Sequence, residues 1–269
     1  MNKTFLGHNR PLLVGSIRQG TPKYATSDIK NCMCDGADAF ILHIQLMEEQ
    51  YHNFDCFKQI AASTDLPIMA INYPNGNGQT DEQKVEVQAE AVRAGFSCVD
   101  LRADTFDYDS IGSLEGCNLA FAASNPKEIS MRPEVIAKQK QIIETFHKAG
   151  AEVLMSAHVY VELSEEQAVS LALEIQSRGA DIVKIITACK SANHALHMLN
   201  TTAELKKRLS VPFLYGCYGP HGKMIRPLSP LFGSMLVFGH HQYGALSNFE
   251  KPLLKDMKEL YRIVDWNMF

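Results

Sequence analysis

Short apolar runs alternate with longer amphipathic stretches along most of the chain. The runs are rich in Val, Ile, Leu and Ala, and each is short enough for a strand buried on both faces of a parallel sheet. We therefore predict eight strands, at residues 11–17, 39–45, 67–73, 98–104, 152–158, 182–188, 212–218 and 234–240.

The stretches between most of these runs carry apolar residues at spacings of three and four, which is typical of helices packed on one face. One stretch opens with Ser164-Glu-Glu-Gln167, a capping box, and ends at Gly179, a residue suited to a helix C-terminus. The predicted helices lie at residues 53–64, 81–95, 132–150, 164–179, 191–209 and 251–265.

Strands that alternate with helices over 269 residues predict an α/β fold, a (β/α)8 TIM barrel, as one domain of residues 1–269. The main rival is a doubly wound sheet, but no G-x-G-x-x-G follows the first strand and no P-loop motif is present. Only a loop and residues 227–232 separate the last two strands, so we expect the seventh unit to be degenerate. Residues 105–131 are long for a connection and are expected to form an insertion over the C-terminal face of the barrel.

Composition and charge exclude several classes of protein. Hydrophobic residues make up 46% of the chain and charged residues 21%, which is typical of globular proteins. The 26 basic and 30 acidic side chains give a formal charge of -4, so neither nucleic acid nor an anionic membrane is an expected partner. The chain has neither an apolar run long enough to span a bilayer nor a signal-peptide core at its start, and its seven cysteines show no paired framework. We therefore expect a cytoplasmic protein with reduced cysteines.

Lys184 lies in the middle of a predicted strand and shares a face with Ile182 and Ile186. Burying an ammonium group costs several kcal/mol unless it is paired, so a lysine here is seldom structural. Burial favours the neutral amine, which can attack a carbonyl carbon. Lys184 is therefore a candidate catalytic nucleophile.

His158 ends the preceding predicted strand, so it is expected to neighbour Lys184 at the rim of the barrel. An imidazole beside an amine can relay protons during the formation and hydrolysis of an imine. Arg226 follows the seventh predicted strand, where a guanidinium group can bind a carboxylate or another anion. His158 is therefore a second candidate catalytic residue, and Arg226 is a candidate binding residue.

Three motifs in this order and spacing resemble the type I 3-dehydroquinate dehydratase family, the Schiff-base lyases of the shikimate pathway. Val-Leu-Met-Ser-Ala-His158 resembles the family's V-M-S-x-H, which carries the catalytic histidine. Val-Lys184-Ile resembles P-K-I, which carries the imine lysine. Residues 222–234 are similar to G-x-x-S-R-x-x-x-x-x-F-G-S, with Arg226 at the position that binds the substrate carboxylate.

The chain departs from the family at several positions that meet the substrate. His43-Ile-Gln45 stands in place of E-W-R, and Tyr73 stands near the position of a second arginine. Asn77 lies where the family has an acidic residue that orients the histidine, and Glu250 aligns with the glutamine of the substrate lid. The resemblance thus implies that His43, Gln45, Tyr73 and Glu250 bind substrate. Loss of two arginines predicts weaker carboxylate binding and favours a neutral polyol or a larger ring.

These features together predict a Schiff-base-forming lyase that acts on a cyclic keto substrate, such as a keto-sugar or cyclitol relative of 3-dehydroquinate. Lys184 would form the imine, and His158 would remove the adjacent proton and help to expel water or an alcohol. No cofactor is expected, and the partner is a small-molecule ketone. The resemblance and the insertion also favour a homodimer.

Three alternatives remain open. One is genuine 3-dehydroquinate dehydratase activity, because Arg226 is retained. Another is a non-catalytic barrel that binds a ligand. The third is a divalent-metal isomerase or epimerase whose ligands would come from residues near the predicted strand ends, namely His43, Asp100, His158, His240 and His241.

Overall fold

The structure is a computed structural model that describes residues 3–74, 78–107, 129–264 and 266. Most of the predicted insertion, residues 108–128, lies outside the described residues, as does Asn77. The insertion, the single domain over the whole chain and the substitution at Asn77 therefore stay predictions. Within the described part of the chain, no helix is both long enough and apolar enough to cross a bilayer.

All eight predicted strands are present. They belong to one sheet of order β7-β6-β5-β4-β3-β2-β1-β8, and their central residues are buried. The strands are β1 (Leu12–Ile17), β2 (Ala39–His43), β3 (Ile68–Ile71), β4 (Cys98–Arg102), β5 (Glu152–His158), β6 (Ile182–Ala188), β7 (Phe213–Tyr218) and β8 (Leu236–Gly239).

The described residues also form eight α-helices, one after each strand, which is the element order of the predicted (β/α)8 fold. Capping boxes at Thr80 and Ser164 open two of them, the second as predicted. The helices are α1 (Pro22–Cys34), α2 (Phe54–Ala61), α3 (Asp81–Arg93), α4 (Pro133–Lys148), α5 (Glu165–Ser177), α6 (Ala192–Arg208), α7 (Gly222–Leu228) and α8 (Leu254–Arg262).

Two of these helices were not predicted. The buried face of α1 consists mainly of Ala25, Ile29 and Cys32, which are too few and too small to give a clear apolar period. Helix α7 begins with a glycine and contains Pro227, a composition typical of a loop, and a 3-10 turn at Ser229–Phe232 follows it. The seventh unit is therefore short, but it has a helix.

The chain packs as two compact units. Unit 1 consists of Met1–Asp100, Phe146–Glu152 and Leu236–Phe269, and it contains β1–β3, β8 and the first residues of β4. Unit 2 consists of Leu101–Thr145 and Val153–Met235, and it contains β6, β7 and nearly all of β5.

In unit 1, β1 lies between β2 and β8, the last strand of the chain. Val14 pairs in parallel register with Ala39 of β2 and with Phe238 of β8. Gln88 of α3 is buried and donates hydrogen bonds to the carbonyls of Ala70 (3.2 Å) and Asp100 (2.9 Å), at β3 and β4. These contacts fix the strand ends from which the polar side chains of unit 1 project.

In unit 2, the fully buried Arg178 at the end of α5 holds the segments around β5. Its guanidinium donates to Oε1 of Gln139 (2.6 Å) and to the carbonyls of Ser130 (2.5 Å) and Ala103 (3.3 Å). The amide of Ala103 in turn donates to the carbonyl of Ser156 in β5 (2.8 Å). Buried carbonyls beside and within β5, the strand that ends at His158, are thereby satisfied.

Candidate active site

Lys184 occupies the centre of β6, between β5 and β7. It is 4% exposed and pairs in register with Ser156 on one side and Leu214 on the other. Its neighbours on the same face of β6, Ile182 and Ile186, are buried as well. The burial predicted from the strand pattern is therefore confirmed, and the amine lies among strands rather than in solvent.

His158 is the last residue of β5 and pairs in register with Ile186. Because paired residues of parallel strands point to one face and alternate residues share it, His158 and Lys184 lie on the same face of the sheet. Standard sheet spacings put their Cα atoms roughly 8 Å apart, with His158 nearer the C-terminal ends of the strands. The predicted neighbourhood of the two residues thus follows from strand register alone.

Two tyrosines adjoin His158. The ring of Tyr218, at the end of β7, lies 6.5 Å from the His158 ring between centroids. Tyr218 stacks on Tyr160 at 5.2 Å with an interplanar angle of 11°. Sequence reasoning missed this pair, although Tyr160 lies two residues beyond His158 and Tyr218 ends a predicted strand. The pair provides an aromatic wall beside the imidazole.

Arg226 lies on α7 and is 8% exposed. Its Nη2 donates to the carbonyl of Cys217 near the end of β7 (3.1 Å). Three predicted residues, Lys184, His158 and Arg226, thus belong to three successive βα segments of unit 2. A held guanidinium presents its other N–H groups in a fixed direction, which suits the binding of a planar anion.

His43 ends β2 in unit 1 and is 6% exposed. Its Nε2 lies 3.1 Å from Oγ of Ser16, and its Nδ1 lies 3.4 Å from both Nη1 of Arg18 and Nε2 of Gln45. Lys251 also donates to Oγ of Ser16, at 2.8 Å. The predicted residues His43 and Gln45 are therefore together, in a cluster with Ser16, Arg18 and Lys251.

Sequence reasoning missed this cluster because its members are far apart in the chain. The expectation of a region that has lost positive charge does not hold beside His43, where Arg18 and Lys251 lie. Ser16 was the available signal, since a serine in an otherwise apolar strand marks a polar position at the strand end.

Tyr73 and Glu250 lie in different surroundings within unit 1. The hydroxyl of Tyr73 donates to Oδ2 of Asp100 (2.8 Å), and Asp100 is 2% exposed. The backbone N–H of Glu250 donates to Oδ1 of Asn248 (3.0 Å) in the loop after β8. The adjacent Lys251 is the loop residue that reaches β1, through Ser16. Tyr73 therefore orients a buried carboxyl group, a contact that sequence reasoning did not identify.

The positive charges at this end of unit 1 affect the pKa of His240. Burial, together with the positive charges of Lys251 and Arg18, lowers the pKa of His240 to about 3, although hydrogen bonds with the backbone of Asn248 and Ser16 act in the opposite direction. The ring is therefore neutral at neutral pH. Among the described residues, no three His, Cys, Asp or Glu side chains lie close enough together to hold a metal ion, so the five ligands considered for a metal site do not form one group there.

Comparison with known proteins supports the resemblance. The family model of type I 3-dehydroquinase matches residues 16–267. The 3-dehydroquinate dehydratase of Listeria monocytogenes serotype 4a is 29% identical over 126 residues, which are 46% of this chain and 48% of that protein. The enzyme of Clostridium kluyveri is 29% identical over 127 residues, with the same coverage. The match thus spans about half the length of these relatives.

Solved structures of 3-dehydroquinate dehydratases share the fold of this chain. A type I 3-dehydroquinate dehydratase from Clostridium difficile, with covalently modified comenic acid, has a TM-score of 0.76 and 17% identity over 98% of this chain and 96% of that one. The 3-dehydroquinate dehydratase of Geobacillus kaustophilus has a TM-score of 0.73 and 15% identity over 96% and 92%. The predicted (β/α)8 fold class is therefore confirmed, and, since the family model covers nearly the whole chain, this protein belongs to the type I 3-dehydroquinase family.

Proposed function

We propose that this protein is a Schiff-base-forming dehydratase, a carbon–oxygen lyase of the 3-dehydroquinate dehydratase type, acting on a cyclic ketone. The observation that carries the proposal is that Lys184 is buried in the middle of β6, on the same face as His158 at the end of the neighbouring strand β5. Membership of the type I 3-dehydroquinase family supports the same chemistry.

Lys184 acts as the nucleophile. Its amine nitrogen attacks the carbonyl carbon of the substrate, and loss of water then gives a protonated imine. Among the apolar side chains of β6, water competes weakly for the amine. The imine draws electrons from the adjacent carbon and makes its proton easier to remove.

His158 acts as base and then as acid. It takes the proton from the carbon next to the imine, which leaves an enamine, and the enamine electrons then expel the β-hydroxyl group. The leaving oxygen takes the proton from His158 and departs as water. A second water hydrolyses the imine, which releases the unsaturated ketone and restores the lysine amine.

The remaining residues are proposed as substrate contacts. Arg226, oriented by the carbonyl of Cys217, binds a carboxylate or another anion of the substrate. The family resemblance assigns similar binding roles to His43, Gln45, Tyr73 and Glu250, which differ from the family's residues. The substrate is therefore a relative of 3-dehydroquinate with different polar groups, with 3-dehydroquinate itself as the first compound to test.

We further propose that the enzyme works in the cytoplasm as a homodimer. The near-neutral charge and the free cysteines of the described residues are usual for that compartment. The dimer rests on the family resemblance. Light scattering of the full chain tests it, and a mass close to 30.0 kDa would contradict it.

Reduction with borohydride tests the imine. The full chain is incubated with 3-dehydroquinate or with other cyclic ketones, reduced, and digested for mass spectrometry. We expect an adduct on the peptide that contains Lys184, and none with Lys184→Met. Lys190→Met, which removes an exposed lysine just beyond β6, is the matched control and should be labelled as the wild type is. An adduct on another lysine, or none with any ketone, would refute the mechanism.

A further inference from the structure

A cavity of about 290 Å3 in unit 1 lies beside the ends of β1 and β8. Its lining includes Ser16, Arg18, Asp28 and His240, and we call it the Arg18 cavity. None of the proposed catalytic residues lines it. It is too small for a peptide but has room for a small ionic group.

Arg18 has no carboxylate partner among the described residues. Its Nε donates to the carbonyl of Leu246, and its Nη1 faces Nδ1 of His43 at 3.4 Å. Arg10, near the start of the same strand, instead forms a two-bond ion pair with Asp38, at 2.6 and 2.8 Å. Burial lowers the pKa of Arg18, yet a guanidinium group remains charged in proteins. A half-buried positive charge without an acid is costly unless a ligand neutralises it.

The contacts of His43 fix which atoms donate. A guanidinium group can only donate, so Nδ1 of His43 accepts from Arg18 and the ring hydrogen is on Nε2. Nε2 therefore donates to Oγ of Ser16, which also accepts from Nζ of Lys251. With both acceptor positions filled, the hydroxyl hydrogen of Ser16 finds no acceptor among the described residues, and Ser16 lines the cavity. Ser16 therefore presents its hydroxyl hydrogen to the cavity as a hydrogen-bond donor.

His240 adds a third unsatisfied group. It is 4% exposed, lines the cavity, and its Nε2 has no hydrogen-bond partner within the described part of the chain. A buried ring nitrogen without a partner costs free energy, so a bound oxygen atom would stabilise Nε2 when the ring hydrogen is on it.

Little negative charge lines the cavity. Asp28 also lines the cavity, where its Oδ2 accepts a hydrogen bond from Gln19 (3.2 Å). Burial raises the pKa of Asp28, which weakens its hold on a negative charge. The two positive groups, Arg18 and Lys251, therefore outnumber this one carboxyl group. Lys251 lies behind Ser16.

We propose that the Arg18 cavity binds an oxyanion, the carboxylate or phosphate group of a small ligand, through the guanidinium of Arg18, the hydroxyl of Ser16 and Nε2 of His240. Lys251 adds positive charge from behind Ser16. With the ring hydrogen of His240 on Nε2, three donors converge on one small cavity and fit an anion with several oxygen atoms better than a neutral alcohol. Arg226 does not line this cavity, and binding of an anion there does not require an imine at Lys184.

Titration with inorganic phosphate and with acetate tests the proposal. The full chain, with labelled histidine, is followed by NMR at constant ionic strength, and His240→Gln identifies the His240 resonance. We expect the His240 signal to move to saturation, and the pKa of His240 to rise, because a bound anion favours the protonated ring. A response to phosphate alone or acetate alone assigns the site to that group, and a response to both assigns it to oxyanions in general.

Matched variants make the result decisive. Arg18→Gln should weaken binding by about 10-fold or more, since a charge-assisted hydrogen bond is lost. Ser16→Ala should weaken it several-fold, and it serves as the second test if Arg18→Gln does not fold. Arg10→Gln removes an arginine that already has an acid partner and should bind as the wild type does. No response to either anion, or equal binding by Arg18→Gln, Ser16→Ala and the wild type, would overturn the site. Borohydride labelling of Lys184 is measured separately, so failure of one proposal leaves the other standing.

Discussion

The polar strand ends of the two units are built in different ways. In unit 2, backbone register alone sets Lys184 and His158 on one face of neighbouring strands. In unit 1, register likewise sets Ser16 and His43 on one face of β1 and β2, but Lys251 comes from the loop after β8 and joins them through a hydrogen bond between side chains. Register survives substitution of nearby side chains, whereas a side-chain network changes with each member. The difference is consistent with a chain that keeps the proposed catalytic pair while the residues proposed to select the substrate diverge.

Replacement of His158 should give the largest effect and tests the unit 2 half of this comparison. We expect His158→Gln to lower kcat by about 10²–10⁴-fold, the usual contribution of a general acid–base residue. Imine formation at Lys184 should slow, yet an adduct should still be trapped by borohydride, because the register of β6 is unchanged. Steady-state kinetics and mass spectrometry provide the two measurements. An activity close to that of the wild type would mean that another group moves the proton.

Lowering the pH should destabilise unit 1 through protonation of His240. The pKa of His240 is about 3 in the folded protein, below the ordinary value of 6.5. A depressed histidine pKa means that the unfolded chain binds the proton first, so stability is full above about pH 6.5 and is lost as the pH falls towards 3. The free energy of unfolding should fall by up to about 1.4 kcal/mol per pH unit in that range.

Urea unfolding at several pH values measures this slope. His240→Gln should flatten it, because no proton is then taken up at that position. His241→Gln is the matched control, since the neighbouring ring already contacts Asp35, and it should keep the contribution of His240 to the slope. Equal slopes in the wild type and His240→Gln would show that other groups dominate acid unfolding.

Loss of the Tyr73 hydroxyl should give the smallest effect and tests the network half of the comparison. Tyr73→Phe removes a hydrogen bond of 2.8 Å to the buried Asp100. Leaving a buried hydrogen-bonding group without its partner costs about 1–3 kcal/mol, so the free energy of unfolding should fall by an amount of this order. We expect KM to rise and kcat to change little, since the residue is proposed to bind rather than react. Tyr24→Phe, at an exposed tyrosine, should alter neither.

The sequence predicted the features that depend on local pattern. Every strand was found because a buried strand is a short apolar run, and Lys184 was found because it interrupts one. Helix α1 was missed because its buried face has small residues, and α7 because a glycine and a proline resemble a loop.

Sequence patterns could not predict contacts between residues that are far apart in the chain. Ser16 and Lys251 are separated by 235 positions, and no local pattern connects them. Loss of the family's arginines at Gln45 and Tyr73 suggested a loss of positive charge, but Arg18 and Lys251 supply cations beside His43 from other elements. Electrostatic predictions from aligned positions therefore need the fold before they can be trusted.

The parallel pairing of β1 with β8 has a consequence for the order of folding. Unit 2 lies within residues 101–235, so its strands can meet soon after synthesis. Unit 1 joins residues on both sides of that stretch, and β1 must wait for β8 before that edge of its sheet is paired. Contacts so distant in sequence form slowly. Lys184 and His158 can thus reach their register early, whereas the Arg18 cavity, which draws Ser16 from β1 and His240 from just beyond β8, is completed last.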